Sequence, residues 1–184
     1  MIRNVTTKDA IIIMRLVNDA YKIEIGNTGL AFKKIDRYAD INQVQDDIEK
    51  FDIFLLAELD GKCVGCIGGQ KRLRQKRFVM NEPTSKLTYV EFGPFATLPR
   101  HQSKGVGKML MNALYAWCRD IGIDRIVIDV VNHRTDLFTE PNGGFYGKRG
   151  FKQIGTVECD AEHNCGKSAC TRPSHFILLE KMIR

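Results

Sequence analysis

The 184-residue chain has no apolar run long enough to cross a membrane: its uncharged apolar runs, Ala10–Met14 among the longest, fall far short of the ~20 residues a spanning helix needs. The N-terminus, Met1–Asp9, lacks the apolar core of a secretory signal. Six cysteines are too few for a disulfide scaffold, so reduced thiols and a cytoplasmic location are expected. There is no internal repeat and no Pro/Gly/Ser-rich linker, which predicts one domain over residues 1–184. Also absent are the G-x-S-x-G of a serine nucleophile, the G-x-G-x-x-G of a dinucleotide fold and the G-x-x-x-x-G-K-[ST] of a P-loop. What is present is the balance of an ordinary globular protein, 43% hydrophobic and 27% charged, which excludes disorder, collagen and coiled coil. The charge is uneven, 28 Lys+Arg against 22 Asp+Glu for a net +6. That excess favours an anionic partner: nucleic acid, phospholipid or a phosphate-bearing cofactor.

Helices and strands alternate along the chain. Residues 2–5 read as a short strand, and Thr6 with Asp9 as a capping box before a helix over residues 10–21. Residues 22–39 read as loop. Asp40 is an N-cap for a helix whose face carries Ile41, Val44, Ile48 and Phe51. Residues 53–59 and 62–70 flank Asp60-Gly61, a hairpin turn. A strand over 87–97 contains Gly93-Pro94, and proline is excluded from central ladder positions, so a bulge or splay is expected there. A helix then carries Val106, Met109, Leu110, Ala113, Leu114 and Trp117 on one face and stops at Gly122. Residues 126–131 form a buried strand, 145–148 a helical turn, and further strands begin at Gly150-Phe151 and at Phe176. Helices mixed with antiparallel hairpins predict an α+β or mixed α/β fold.

The most informative segment is Phe95-Ala96-Thr97-Leu98-Pro99-Arg100-His101-Gln102-Ser103-Lys104-Gly105-Val106-Gly107-Lys108. A strand passes through a loop into the start of a strong helix, where free amides and the helix dipole form an anion site. Gly105 and Gly107 lack Cβ atoms, so a phosphate can approach the backbone, and Arg100, Lys104 and Lys108 add charge. Gln102–Gly107 resembles the Q/R-x-x-G-x-G/A signature of the GCN5-related N-acetyltransferase (GNAT) superfamily. Phe95–Pro99 resembles the family's strand end before it, and Phe145-Tyr146-Gly147-Lys148-Arg149-Gly150-Phe151 its later Tyr-x-x-x-Gly-Phe element. The resemblance covers about residues 87–151. It implies a mixed, mostly antiparallel sheet of six to seven strands flanked by about four helices and splayed at an acetyl-CoA site. It also implies that the pyrophosphate lies on the amides of Gln102, Ser103, Lys104, Gly105, Val106 and Gly107, with Lys108 beside it, and that the pantetheine arm pairs with the backbone of Phe95, Ala96 and Thr97. The family often has Asn seven residues before the tyrosine. Here that position is Thr139, and Asn132 or Asn142 substitutes for the contact. Residues 138–144 then read as an insertion beside the acetyl group.

The implied chemistry is transfer of acetyl from acetyl-CoA to an amine by direct attack in a ternary complex. An alkyl amine of pKa ~10 arrives protonated and must lose a proton, while the departing thiolate gains from an acid. Tyr146 falls on the family's tyrosine and is the candidate acid; a packed, hydrogen-bonded tyrosine is the plainer alternative. Glu91 resembles the catalytic glutamate of histone-acetylating members and is the candidate base, sharing a face with Thr97 if the strand is regular. Apolar neighbours such as Phe92 and Phe95 would suit that role; the plainer alternatives are an edge-of-sheet glutamate paired with a lysine or arginine, and deprotonation through a water chain with no single base. Tyr89 and Glu58 are weaker candidates.

The remaining features receive bland readings. Cys159, Cys165 and Cys170 with His163 and His175 are too loosely spaced for zinc, and Cys63 and Cys66, three apart on a strand, should face opposite ways, so free thiols and no metal are expected. Residues 159–173 read as a polar hairpin loop. The basic run Lys71–Arg77 reads as a solvated arm rather than a nucleic-acid site, and His101 as solvent-facing. The expected acceptor is a small-molecule primary amine, with protein lysine or N-terminal amines second and a non-catalytic CoA-binding module as the alternative of another class. No membrane partner is expected, and a homodimer is left open.

Overall fold

The computed structural model describes residues 1–28, 36–73, 79–80, 88–131, 144–158 and 175–183. Along the chain run β1 (Ile2–Asn4), α1 (Ala10–Thr28), α2 (Ile41–Lys50), β2 (Ile53–Leu59), β3 (Lys62–Leu73), β4 (Val79–Met80) and β5 (Thr88–Thr97). Then come α3 (Val106–Asp120), β6 (Arg125–Val131), α4 (Gly144–Gly147), β7 (Lys152–Glu158) and β8 (His175–Met182), with 3-10 turns at Thr7–Asp9 and Pro99–His101. Helix α1 continues to Thr28, beyond the end expected near residue 21. The expected caps form: the Asp9 carboxylate accepts from the Thr6 N–H at 2.8 Å, and Asp40 accepts from the amides of Asn42 and Gln43.

The strands form one eight-stranded sheet in the order β1-β2-β3-β5-β6-β8-β7-β4. Among the described strands only β5 and β6 are paired in parallel; every other neighbouring pair is antiparallel. The mixed, mostly antiparallel class is thus as expected, with four α-helices; the sheet exceeds the expected six to seven strands through the two-residue β4, which follows β3 in sequence yet pairs with β7 at the far edge.

Two clusters sandwich the sheet. On one face α3 buries Val106, Leu110, Met111, Leu114 and Cys118 against Val64, Ile67, Val90, Phe92, Ile126 and their neighbours. The buried stripe of α3 is shifted from the expected one: Met111 is 1% exposed, whereas Met109 is 38% exposed. Gly65 and Gly69 let the helix sit this close, because a Cβ on Gly65 would lie 2.9 Å from Val106 Cγ1 and one on Gly69 2.9 Å from Leu114 Cδ1. On the other face α1 and α2 bury Ile13, Leu16, Val17 and Val44 against Phe54, Leu56, Cys66 and Ala96. A third, smaller group, Tyr89, Val127 and Leu178, fills in beyond them.

Two irregularities change which way side chains point. Ala57 pairs with Gly65 but Glu58 with Cys63, so a bulge in β3 turns both Val64 and Gly65 toward α3. Cys63 and Cys66 therefore both lie on the α1 face, contrary to the regular-strand expectation. The second irregularity is in β5, opposite the register shift between Ile67 and Gly69, where Gly93-Pro94 is a cis peptide. It turns Phe92 and Phe95 to the same side.

Candidate active site

The β5–β6 ladder holds Val90 against Ile126 and Glu91 against Val127, then stops, although β5 continues to Thr97 and β6 to Val131. Beyond Glu91 the two parallel strands diverge. Among the described residues the β5 edge over residues 92–97 has no strand partner on the β6 side, so the main-chain groups on that edge border the opening. The splay predicted from proline chemistry is present at the predicted residues.

At the open end, β5 leads through Leu98–Gly105 into α3. The chain crosses the 3-10 turn Pro99–His101, extends at Gln102, and reverses at Ser103 (φ 59°) and Gly105 (φ 84°). Gly105 is the residue before the first helical turn and sits in left-handed conformation, with nothing within 4 Å of where a Cβ would be. The helix begins with the Met109 N–H donating to the Gly105 carbonyl oxygen at 3.0 Å, so the amides of Val106, Gly107 and Lys108 belong to the unsatisfied first turn. Gln102, Ser103, Lys104, Gly105 and Lys108 are exposed around them, Val106 is buried, and the Gln102 amide reaches back to the Thr97 carbonyl at 3.4 Å. Open first-turn amides with lysines at the rim are the geometry that an anion cradle requires.

Gly107 has a different reason to lack a side chain. Its Cβ would stand 3.3 Å from the rings of Phe145 and Phe95. These rings belong to an aromatic wall: Phe95–Phe145 at 5.5 Å, Phe145–Tyr146 at 5.2 Å, Tyr146–Phe151 at 5.3 Å and Phe92–Tyr146 at 6.3 Å between centroids. Helix α4 is short and ends in a tight turn, with the Arg149 and Phe151 amides both donating to the Tyr146 carbonyl. Tyr146 is 5% exposed.

Glu91 stands apart from this wall. Its strand partner is Gln70, whose side-chain amide donates to the Lys50 carbonyl at the end of α2, so Glu91 faces the α1–α2 side. Thr97 pairs with Gly65, which faces α3, and so lies on the opposite face from Glu91. The regular-strand expectation that Glu91 and Thr97 share a face is corrected by the turnover at Gly93-Pro94, and Phe92 and Phe95 are not on Glu91's side. Its neighbour is Arg72, whose Nε donates to Glu91 Oε2 at 3.0 Å, both side chains being about a fifth to a quarter exposed. The structure thus sets Tyr146 in one aromatic wall with Phe145, which meets Phe95 and Gly107 of α3, and leaves Glu91 across the sheet at the same splay.

The other candidates are placed as follows. Asn132 and Asn142 lie outside the described residues, as do Thr139, Lys76, Arg77 and the cysteines from Cys159 to Cys170. Glu58 is taken up by Arg3 at 2.7 Å. His101 is half-buried rather than solvent-facing; its Nδ1 is buried without a partner among the described residues, and desolvation with nearby Lys104 and Arg100 lowers its pKa. Burial raises the Cys66 thiol to about 12 and raises Cys63 and Cys118 too, which keeps these thiols protonated. Among the described residues no group of three or more His, Cys, Asp or Glu side chains could hold a metal, and no helix is long and apolar enough to cross a membrane. The Arg72 pairing is the plainer reading of Glu91, a lysine or arginine partner; which residue fills that place depends on the β3–β5 register, which the intervening residues conceal in the sequence.

A family model described as the acetyltransferase (GNAT) family matches residues 17–151. No curated protein sequence matches the chain. Solved structures do. Smu.2055 from Streptococcus mutans superposes with a TM-score of 0.69 at 16% identity, covering 100% of this chain and 99% of that one. The PaiA N-acetyltransferase from Thermoplasma acidophilum, in complex with coenzyme A, gives 0.68 at 17% identity over 99% and 98%. An aminoglycoside 6'-N-acetyltransferase complexed with coenzyme A gives 0.63 at 18% identity over 100% and 97%. At such identities the likeness is one of fold.

Proposed function

Because the chain belongs to the GNAT acetyltransferase family, we propose that it moves the acetyl group of acetyl-CoA onto a primary amine of a small molecule, by direct attack in a ternary complex. The observation that carries this reading is the conjunction of the β5–β6 divergence after Glu91 with a helix N-terminus opening at its end through the left-handed Gly105. The residues fit a CoA-type ligand: an amide cradle with open space at Gly105, lysines at its rim, and an unpaired strand edge leading away from it.

Acetyl-CoA supplies a thioester-activated acetyl group. The amides from Gln102 to Gly107 hold its pyrophosphate, with Lys104 and Lys108 adding charge, and the backbone of Phe95, Ala96 and Thr97 pairs with the pantetheine arm. Asn132 or Asn142 provides the remaining side-chain contact. Tyr146 donates its phenolic proton to the departing sulfur inside the aromatic wall and is restored by solvent. Glu91 accepts the proton of the incoming ammonium from the α1–α2 side, with Arg72 orienting its carboxylate. Acid and base thus work from opposite faces of one splayed sheet, and the reacting atoms meet in the gap.

The test is thiol release from acetyl-CoA across a panel of small primary amines and of peptides with free N-termini or lysines. Amine-dependent turnover with small acceptors supports the proposal. Turnover with peptides alone replaces the acceptor class with protein amines. Coenzyme binding with only background hydrolysis identifies a non-catalytic CoA module.

A further inference from the structure

Helix α3 turns a second flank toward the C-terminal half of the chain. Lys108, Met111 and Tyr115, spaced along one side of the helix, face Lys148 and Arg149 beyond α4 and Lys181 of β8 across a cavity of about 560 Å³. Among the described residues four cations line it and no carboxylate does. Among the described residues the ion pairs are Arg3 with Asp9 and Glu58, Arg72 with Glu91, and Arg125 with Glu180; none takes in these four.

Two of the cations, Arg149 and Lys181, are held in place without a carboxylate partner among the described residues. The Arg149 guanidinium lies 3.6 Å from the Phe145 ring centre, and its Nη1 donates to the Phe145 carbonyl oxygen at 2.7 Å. Lys181 Nζ donates to the Arg149 carbonyl oxygen and stands 5.5 Å from the Tyr115 ring centre. Desolvation lowers the pKa of Arg149. The Tyr115 hydroxyl oxygen is buried and has no hydrogen-bond partner among the described residues. Burial raises its pKa to about 12, so near neutral pH it remains a donor. A buried hydroxyl without a partner is costly, and a native structure that keeps one among four cations leaves a place for an acceptor.

Several convergent positive charges, a fixed O–H donor and a volume well beyond a single ion suit an anion with several oxygens on an organic body. We propose that this cavity binds a phosphate monoester, held by Lys148, Arg149 and Lys181 and by a hydrogen bond from the Tyr115 hydroxyl. Lys108 belongs both to the first turn of α3 and to the cavity, so the cavity opens beside the pyrophosphate cradle. One source of the monoester is the ribose 3'-phosphate of CoA itself, which rests on the acetyl-CoA reading; the other is a free nucleotide, which does not.

Calorimetric titration of the full chain with CoA, dephospho-CoA and adenosine 3'-monophosphate separates the cases, using wild type, Tyr115→Phe and Lys181→Gln. Tyr115→Phe keeps the ring and removes only an unpaired hydroxyl, so it folds with an unfolding temperature no lower than wild type. If the coenzyme is the source, wild type prefers CoA over dephospho-CoA by about tenfold or more, and both variants narrow that gap with little change in dephospho-CoA affinity. If a free nucleotide is the source, the two coenzymes bind alike, adenosine 3'-monophosphate binds protein already saturated with dephospho-CoA, and both variants weaken that binding. Equal coenzyme affinities with no binding of the monophosphate overturn the cavity proposal and leave the acetyl-CoA reading intact. Failure of both coenzymes to bind overturns that reading, and the monophosphate titration on free protein then decides the cavity alone.

Discussion

Replacing Asp9 by Asn should destabilise the fold by an amount that the geometry sets. The Asp9 carboxylate is nearly buried, its side chain 8% exposed, and accepts from Arg3 Nη2 at 2.8 Å, Arg3 Nη1 at 2.9 Å, the Thr6 amide at 2.8 Å and the Thr6 hydroxyl at 2.9 Å. Arg3 also binds Glu58 at 2.7 Å, so this one network ties β1, the first helical turn and β2 together. An asparagine keeps one acceptor and turns an NH2 toward groups that are themselves donors. The loss combines charge-assisted bonds of about 1.5–3 kcal/mol with an unsatisfied buried donor, or about 3 kcal/mol in all. At roughly 2–4 °C per kcal/mol for a chain of this size, the unfolding temperature should fall by about 6–12 °C. The effect has a pH signature. The Arg3 guanidinium holds the Asp9 carboxyl far below the usual carboxylate range in the folded state. A depressed folded pKa means that the stabilisation is present above the unfolded value of about 4 and is lost as pH falls from there toward the folded value. The gap between wild type and Asp9→Asn should therefore be flat from pH 8 to 5 and close only in more acid solution. Thermal unfolding monitored by circular dichroism across that range decides it. A drop under ~2 °C, or a gap that already closes between pH 7 and 6, would refute the reasoning.

Three further outcomes follow from the site. Tyr146→Phe keeps the packing against Phe92, Phe145 and Phe151 and should leave coenzyme affinity within about threefold while lowering kcat by about 10²-fold or more; steady-state kinetics beside calorimetry show whether the two separate. Gly65→Ala places a methyl 2.9 Å from Val106 Cγ1 and 3.0 Å from the Ala96 carbonyl oxygen, pushing the start of α3 off the sheet, so a stability loss of about 1–3 kcal/mol should come with weaker coenzyme binding. Unchanged affinity in a destabilised Gly65→Ala would uncouple the cradle from that contact. Arg72→Met should lower turnover more than coenzyme affinity, since Arg72 acts through Glu91 in the proposed scheme, and Arg72→Lys should restore part of it; a loss confined to coenzyme affinity contradicts its positioning role.

Local chemistry made much of this fold legible in advance. Asp40, Asp60-Gly61 and Gly93-Pro94 each dictate a backbone event within a few residues, and a cap, a tight turn and the β5 irregularity stand where those residues put them. The anion cradle was equally local, being one contiguous strand, loop and helix start. What escaped depends on partners distant in sequence. The bulge that turns Val64 and Gly65 together arises from pairing with β2 and puts Cys63 on the same face as Cys66. Met111 is buried because its side of α3 packs into the same core as Phe151 and Leu179, a contact no helical period within α3 reveals. Glu91's neighbours were read as Phe92 and Phe95 on a regular strand, but the turnover at Gly93-Pro94 separates the faces and the register supplies Arg72 instead.

The central claim is that the opening between β5 and β6 and the start of α3 form an acetyl-CoA site. Thermal unfolding of the purified chain with acetyl-CoA, alongside AMP and NAD as controls, tests it most directly. A ligand held only by the native state at about 100 times its Kd adds ~2.7 kcal/mol. The unfolding temperature should therefore rise by about 5–10 °C with acetyl-CoA alone, and the rise should vanish in Gly105→Glu, which sets a side chain and a negative charge into the cradle. No rise at millimolar acetyl-CoA, or an equal rise with AMP and NAD, would contradict the account.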